Sequence, residues 1–306
     1  MKIFVTGGSG FVGGAAIAAL SKAHDVAALS RSAASDAAIR KNGGAPVRGD
    51  LETVAAEMLK GADAVLHCAA FVEEWGPYEA YHAVNVTGTE RLLAAAKAAG
   101  VRRFIHIGTE AALFHGQPMV DIDETYPLAP RSPFPYSRTK ALAEMAVAAA
   151  NDRARGFETI ILRPRLIWGE GDKTVLPVVK AMAASGKFMW IDGGAAMTST
   201  THIDNLVAAI GLALTKGRPG EAYFVVDGPP VRFRDFLTPY LASAGVTLPE
   251  KSMPGAAVRL VDQLRYAGVP ATQAASSASS AIDFNASCSC PCTTTSALRP
   301  RSLRAT

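Results

Sequence analysis

Through the first half of the chain, short runs of β-branched and apolar residues alternate with alanine-rich stretches whose polar positions recur at helical spacing. The runs Ile3–Thr6, Val26–Leu29, Pro46–Arg48, Ala64–His67, Phe104–Ile107 and Thr159–Leu162 read as strands. Between them, Phe11–Ala23, a weaker stretch near Ala34–Lys41, Glu52–Leu59, Tyr78–Ala99 and Pro135–Asn151 read as helices. Such alternation builds βαβ units, and right-handed crossovers lay their helices on both faces of one parallel sheet. The predicted fold class is α/β, a Rossmann-type doubly wound parallel sheet with a smaller C-terminal lobe.

Beyond Pro164 the rhythm loosens into a helix near Val175–Ser185, a strand near Lys187–Ile191, a helix near Ile203–Thr215, a strand near Ala222–Val226 and a helix near Phe233–Ala244. These segments are expected to sit over the carboxyl ends of the strands, where open α/β sheets hold their ligands. From Ala271 serine, alanine and threonine dominate, and apolar periodicity vanishes. Residues 271–306 then read as a disordered tail, a metal-binding tract around Cys288, Cys290 and Cys292, or the product of a frameshift that replaced the true C-terminus. A fourth ligand at conventional spacing is missing, and no metal site is expected elsewhere.

The chain has 306 residues, 49% of them hydrophobic, enough to bury a large core. Its net charge of +4 lies half in the tail, where Arg299, Arg301 and Arg304 face only Asp283. With 7% aromatic residues and no basic stripe, nucleic-acid binding is not expected. Cys68 stands alone in the body, so the cysteines form no disulfide framework. The first strand starts at once, leaving no room for a secretory leader, and apolar runs such as Leu206–Leu214 are too short to span a bilayer. Cytoplasmic residence is expected.

The first strand runs into Gly7-Gly8-Ser9-Gly10-Phe11-Val12-Gly13 and then a helix. Gly7 permits a tight turn, Gly10 lets backbone amides approach a pyrophosphate, and Gly13 lets helix and strand pack closely. The helix N-terminus offers unpaired N–H groups and a positive dipole end to the phosphates. Residues 1–164 are therefore expected to bind a dinucleotide, and 165–270 to form a substrate-binding lobe with some return of the chain to the first domain. After the second strand, where an NAD-specific site usually places an acid, the sequence reads Ser30-Arg31-Ser32. Arg31 suits a 2′-phosphate, so NADP(H) is favoured over NAD(H). Asp50, after the third strand, is placed both to reach the adenine edge and to cap the following helix.

Tyr136 and Lys140, four residues apart at a helix start, share one face. A lysine charge beside a phenol favours phenolate, which would let Tyr136 act as general base or acid. Upstream, the strand Phe104–Ile107 leads to Thr109, whose hydroxyl suits a substrate oxygen at the carboxyl edge of the sheet.

Taken in order, Thr6–Gly13, Gly49-Asp50-Leu51, Asn85–Thr89, Tyr136–Lys140, Leu162-Arg163-Pro164 and Trp168-Gly169 make the chain resemble an extended short-chain dehydrogenase/reductase over residues 1 to about 270. The resemblance implies that Thr109, Tyr136 and Lys140 form the catalytic triad, with Asn85 supporting the lysine through a water or the backbone. It lays the cofactor along Gly7, Ser9, Gly10, Phe11, Val12, Gly13, Arg31, Asp50, Leu51, Ala69, Ala70, Tyr136, Lys140 and Pro164, with Lys140 on the nicotinamide ribose. It also implies a homodimer through Tyr78–Ala99 and Pro135–Asn151.

Within the family, Phe71, Trp75-Gly76-Pro77-Tyr78, Thr109-Glu110-Ala111 and Thr200–Asn205 are similar to the 3β-hydroxysteroid dehydrogenase-like set. That set implies interconversion of a secondary alcohol and a ketone on a bulky, apolar small-molecule substrate, with Trp75, Tyr78 and Glu110 lining its pocket. Tyr81 is a further lining candidate, and His202 and Asp204 are expected to orient a loop and helix. Dehydratases of the family carry an Asp-Glu pair after the threonine where Glu110-Ala111 stands, and epimerases a tyrosine where Leu113 stands. Two alternatives are a nucleotide-sugar epimerase and a non-catalytic NADP(H) sensor.

Overall fold

The computed structural model describes residues 1–73 and 76–257, so Trp75 and the 271–306 tail with its cysteines lie outside the described residues. In chain order the strands are β1 (Lys2–Thr6), β2 (Asp25–Ser30), β3 (Ala45–Arg48), β4 (Ala64–His67), β5 (Arg103–Ile107), β6 (Glu158–Pro164), β7 (Ile167–Trp168), β8 (Trp190–Ile191), β9 (Met197–Thr198), β10 (Thr201–His202), β11 (Ala222–Val225), β12 (Val231–Arg232) and β13 (Ser252–Met253). The α-helices are α1 (Phe11–Leu20), α2 (Ala33–Lys41), α3 (Tyr78–His82), α4 (Gly88–Ala98), α5 (Pro135–Ala150), α6 (Val175–Ala184), α7 (Ile203–Thr215) and α8 (Phe233–Ser243).

Seven strands form one parallel sheet in the order β11-β6-β5-β4-β1-β2-β3. Alternation along each strand divides its side chains between two cores. Ile3, Val5, Leu66, Ile105 and Leu162 meet Ile17 of α1 and Leu206 and Ile210 of α7 on one face. On the other, Phe4, Val65, Phe104 and Ile161 meet Leu92 of α4 and Val147 of α5. Full burial of each such side chain stabilises the fold by about 1.5–3 kcal/mol, which ties the strand register to this two-sided pattern. The order reverses at β1, which opens the ligand crevice outside the carboxyl ends of β1 and β4. A third core of Val179, Trp190, Leu237 and Leu241 unites α6, β8 and α8, while α7 and β11 run back to the sheet.

Four expected elements differ. The helix from Phe11 ends at Leu20, where Ala23 and His24 both donate back to the Leu20 carbonyl. In place of a helix over Glu52–Leu59, the Asp50 carboxylate draws in the amides of Glu52 and Thr53, the chain turns extended at Ala55, and only Ala56–Leu59 form a 3₁₀ turn. Tyr78–Ala99 is interrupted by a π-helical turn at Ala83–Thr87 that contains Asn85. The strand near Lys187 shrinks to Trp190–Ile191, because the amides of Lys187 and Phe188 both close onto the Met182 carbonyl at the end of α6.

Candidate active site

The glycine loop joins β1 to α1 with steric necessity. Gly7 adopts φ +71°, and a Cβ there would come within 2.7 Å of the Ala69 amide nitrogen. A Cβ on Gly13 would meet the Gly7 carbonyl oxygen at 2.2 Å. Gly10 caps α1 without a side-chain hydrogen bond, and the first turn holds no acidic residue, so the amides from Phe11 onward face an anion unopposed. This cradle fits a dinucleotide pyrophosphate. Ala69 and Ala70 follow β4 directly against the turn, and the Ala69 amide donates to Thr6 Oγ1 at 3.3 Å. Val12 packs on the sheet, whereas the Phe11 ring lies beside Gly171.

Lys173, which the sequence did not single out, donates from Nζ to the Ser9 carbonyl oxygen at 3.1 Å. Its segment is pinned because Asp172 accepts from the amides of Thr174, Val175 and Leu176 and from the Tyr240 hydroxyl. A cation from the second lobe thereby stands on the loop that would hold the phosphates.

At the end of β2, Arg31 is exposed. Asp36 reaches the same corner from α2, accepting from Ser30 Oγ at 2.5 Å and pairing with Arg48 at 2.5 Å. The sequence had suggested that this corner lacks a carboxylate; the fold supplies one, already engaged. Asp50 closes a turn and caps no helix: Thr53 donates from Oγ1 at 2.8 Å and from its amide at 2.9 Å, which lowers the Asp50 pKa below its ordinary value. Leu51 turns inward onto Gly88, and Pro164 ends β6 opposite Val225.

Thr109 and Tyr136 come together at the carboxyl end of β5. The Thr109 hydroxyl donates to Glu110 Oε2 at 3.0 Å beside the Tyr136 phenol, while Glu110 pairs with the buried Arg165 at 3.3 Å. Burial foremost, then the Glu110 carboxylate, push the phenol above its ordinary value, with Thr109 opposing and Glu144 and Tyr81 adding to the rise. The net shift of the phenol runs opposite to the acidification expected from Lys140. Lys140 turns beneath the sheet edge, donating to the Ile107 carbonyl at 2.9 Å and reaching His106 Nε2 at 3.3 Å. Burial brings its own pKa down to about 8, against Glu144 and Cys68.

Asn85 hydrogen-bonds elsewhere than to Lys140. Its amide binds both backbone groups of Phe71, at 2.7 and 3.1 Å, and donates to Thr139 Oγ1 at 3.2 Å, fastening the segment after β4 to α5. Tyr78 lies under the Arg138 guanidinium, 4.7 Å from its ring centre. Tyr81 is buried edge-on to Phe71, its hydroxyl donating to the Glu73 carbonyl. His202 caps α7 by accepting from the Asp204 amide and packs against Trp168.

Tyr136, Lys140 and Glu144 follow at four-residue steps on one helix face, the one sequence signal that marks Glu144. Fully buried, it pairs with Arg163 at 2.8 Å and accepts from the Thr109 amide at 3.3 Å. No sequence signal marks Asp227, which gathers Trp168 Nε1, Thr200 Oγ1, the His202 amide and Asn205 Nδ2. Among the described residues no cluster of three metal-ligating side chains forms, and no helix is long and apolar enough to cross a membrane.

A nucleotide cradle at the switch point of a seven-stranded parallel sheet, beside a hydroxyl pair and a buried lysine, defines a nicotinamide-dependent oxidoreductase of the extended short-chain dehydrogenase/reductase type. The family described as 3-beta hydroxysteroid dehydrogenase/isomerase matches residues 4–254, and the chain belongs to it. It is 39% identical to the 4-hydroxy-2-methyl-3-oxo-4-farnesyl-3,4-dihydroquinoline-1-oxide ketoreductase of Stigmatella aurantiaca, covering 86% of this chain and 79% of the relative. Identity to the 2-alkyl-3-oxoalkanoate reductase of Stenotrophomonas maltophilia is 36%, covering 83% and 78%. A solved dTDP-glucose 4,6-dehydratase from Streptomyces venezuelae with NAD bound is similar with a TM-score of 0.68 and 26% identity, covering 83% of this chain and 84% of that one.

Proposed function

We propose that the enzyme reduces a ketone to a secondary alcohol on a bulky, apolar substrate, with Tyr136 as proton donor and NADP(H) as the preferred cofactor. The observation that carries this reading is the Tyr136 phenol placed beside Thr109 and Glu110 at the carboxyl end of β5, where burial and the Glu110 carboxylate favour its protonated form. A group that keeps its proton at neutral pH suits general-acid catalysis. The reductase names of the two relatives support the same direction.

When bound, the reduced dinucleotide would supply the hydride for the carbonyl carbon. Tyr136 gives its proton to the oxygen, and Thr109 turns its single hydroxyl proton from Glu110 to that oxygen to hold it in place. Lys140, with two N–H groups engaged by Ile107 and His106, keeps a third for the nicotinamide ribose. The amides of the glycine loop would hold the phosphates, with Lys173 beside that loop on the Ser9 carbonyl. Arg31, with Ser30 and Ser32, takes the 2′-phosphate, while Asp36 stays occupied by Ser30 and Arg48. Asp50 and Leu51 border the adenine, Ala69 and Ala70 the pyrophosphate, and Pro164 the nicotinamide. Glu110 and Tyr78 edge the substrate pocket. Its apolar wall is the cluster of Trp168, Phe236 and Tyr240, with ring centres 5.4 to 5.7 Å apart. Residues around α6 and α8 form the substrate lobe, and α4 with α5 forms the face for a second copy of the chain.

Purified protein screened with NADPH against steroid, phenylpropanoid and sugar-nucleotide ketones tests this reading through absorbance. With the best substrate, Tyr136→Phe lowers kcat by roughly 10²–10⁴-fold and leaves NADPH affinity unchanged. Equal turnover by the variant overturns it.

A further inference from the structure

Two histidines lie under the reaction site, and the proton transfer above uses neither. His67 and His106 are register partners on β4 and β5, each 1% exposed, with ring centres 5.2 Å apart. His67 is fully partnered. Its Nδ1 lies 2.6 Å from Thr6 Oγ1, its Nε2 lies 2.9 Å from Thr89 Oγ1, and Thr89 gives its own proton to the Asn85 carbonyl at 2.7 Å. The Thr89 hydroxyl therefore accepts from His67, which puts the ring proton on Nε2.

His106 is arranged the other way round. Its Nε2 faces Lys140 Nζ at 3.3 Å, and its Nδ1 is buried without a hydrogen-bond partner. An ammonium has donors and no acceptor, so Nε2 must accept and the ring proton must sit on the orphan Nδ1. An unpaired buried N–H is a cost that a leucine, flanked here by Ile105 and Ile107, would avoid. What the imidazole supplies and a leucine does not is a lone pair aimed at Lys140.

We infer that His106 is a positioning residue for Lys140: its neutral Nε2 and the Ile107 carbonyl take two of the three ammonium N–H groups and fix both the charge and the direction of the third. The inference rests on the role given to Lys140 above. Groups facing this ammonium are Glu144 on its own helix, His67 on β4, Cys68 just after it, and His106 on β5. Burial first, then the Lys140 charge, bring the His67 pKa to about 3 and that of His106 well below its ordinary value, so both rings stay neutral. Burial also raises the Cys68 thiol to about 12, which leaves Glu144 as the anion that counts. An acceptor that favours the charged lysine raises its protonation midpoint, and losing the acceptor lowers it.

The test follows Lys140 and His106 directly by NMR on the full chain, with ¹³C at the lysine ε-carbons and ¹⁵N in the six histidine rings. Lys140→Met and His106→Asn identify the two signals. In the parent protein Lys140 titrates near pH 8. His106→Leu lowers that midpoint by about one unit, the size expected for one hydrogen bond to a charged group, and His106→Gln, which keeps an acceptor, restores most of it. The His106 spectrum shows the proton on Nδ1 in the parent and a changed tautomer balance in Lys140→Met. An unmoved lysine midpoint in a folded His106→Leu protein, or a parent His106 protonated on Nε2, overturns the inference. If His106→Leu does not fold, the parent tautomer alone decides. Failure of the oxidoreductase reading is distinguishable, because it shows as undiminished turnover in Tyr136→Phe with the lysine titration untouched.

Discussion

Glu144→Gln is the substitution that separates packing from electrostatics at this site. The change keeps volume and removes one charge from a pair in which Glu144 is fully buried and Arg163 nearly so, at 2.8 Å. Arg163 keeps the Glu124 carbonyl at 3.1 Å, the face of Phe224 and a neutral amide acceptor at position 144, but loses the carboxylate charge that met it at 2.8 Å. Breaking a buried pair from one side costs about 3–5 kcal/mol. At the few degrees per kcal/mol typical of large domains, Tm falls by roughly 6–15 °C, read by calorimetry or circular dichroism. Glu144 raises both Tyr136 and Lys140, so losing its charge lowers both midpoints. Lys140 starts at about 8, and the alkaline limb of kcat/KM therefore moves toward neutral pH. Glu144→Leu combined with Arg163→Met recovers most of the stability, since apolar groups of similar volume replace a buried pair at little cost, but it does not restore the pH profile. A Glu144→Gln protein that melts like the parent and keeps its alkaline limb refutes the reasoning.

Three further outcomes are expected. Gly13→Ala drives a Cβ onto the Gly7 carbonyl, so calorimetry should find no NADPH binding, or no folded protein to titrate; binding at parental affinity would contradict the close approach. Arg31→Ala should lower kcat/KM with NADPH by roughly 10–100-fold, the value of a charge-assisted hydrogen bond, and leave NADH kinetics nearly unchanged; an equal loss with both cofactors would remove the 2′-phosphate role. Lys173→Gln should weaken NADPH binding and flatten its dependence on salt, measured by fluorescence titration, whereas an unaltered salt slope would confine Lys173 to bridging the lobes.

The six strands of the first half, the glycine turn and the hydroxyl and lysine candidates were legible because each depends on chain-local physics. A parallel strand buried on both faces must be apolar along its length, and Gly7 and Gly13 answer to contacts set within one βαβ unit. The helix over Glu52–Leu59 and the unbroken helix over Tyr78–Ala99 were not, because a turn closed by the Asp50 side chain and a π turn around Asn85 outweigh local propensity. Spacing put Tyr136 and Lys140 on one helix face but could not say where the ammonium points. Only the packing of α5 on β5 turns Lys140 to Ile107 and His106, sets Glu110 beside the phenol, and so decides that Tyr136 keeps its proton. Likewise Asp36, Arg165, Lys173 and Asp227 reach their partners across long stretches of chain. Sequence by itself determined the sheet, the glycine turn and the candidate reacting groups; tertiary structure alone determined the charge states of those candidates, because desolvation and through-space fields depend on neighbours that the chain brings together only on folding.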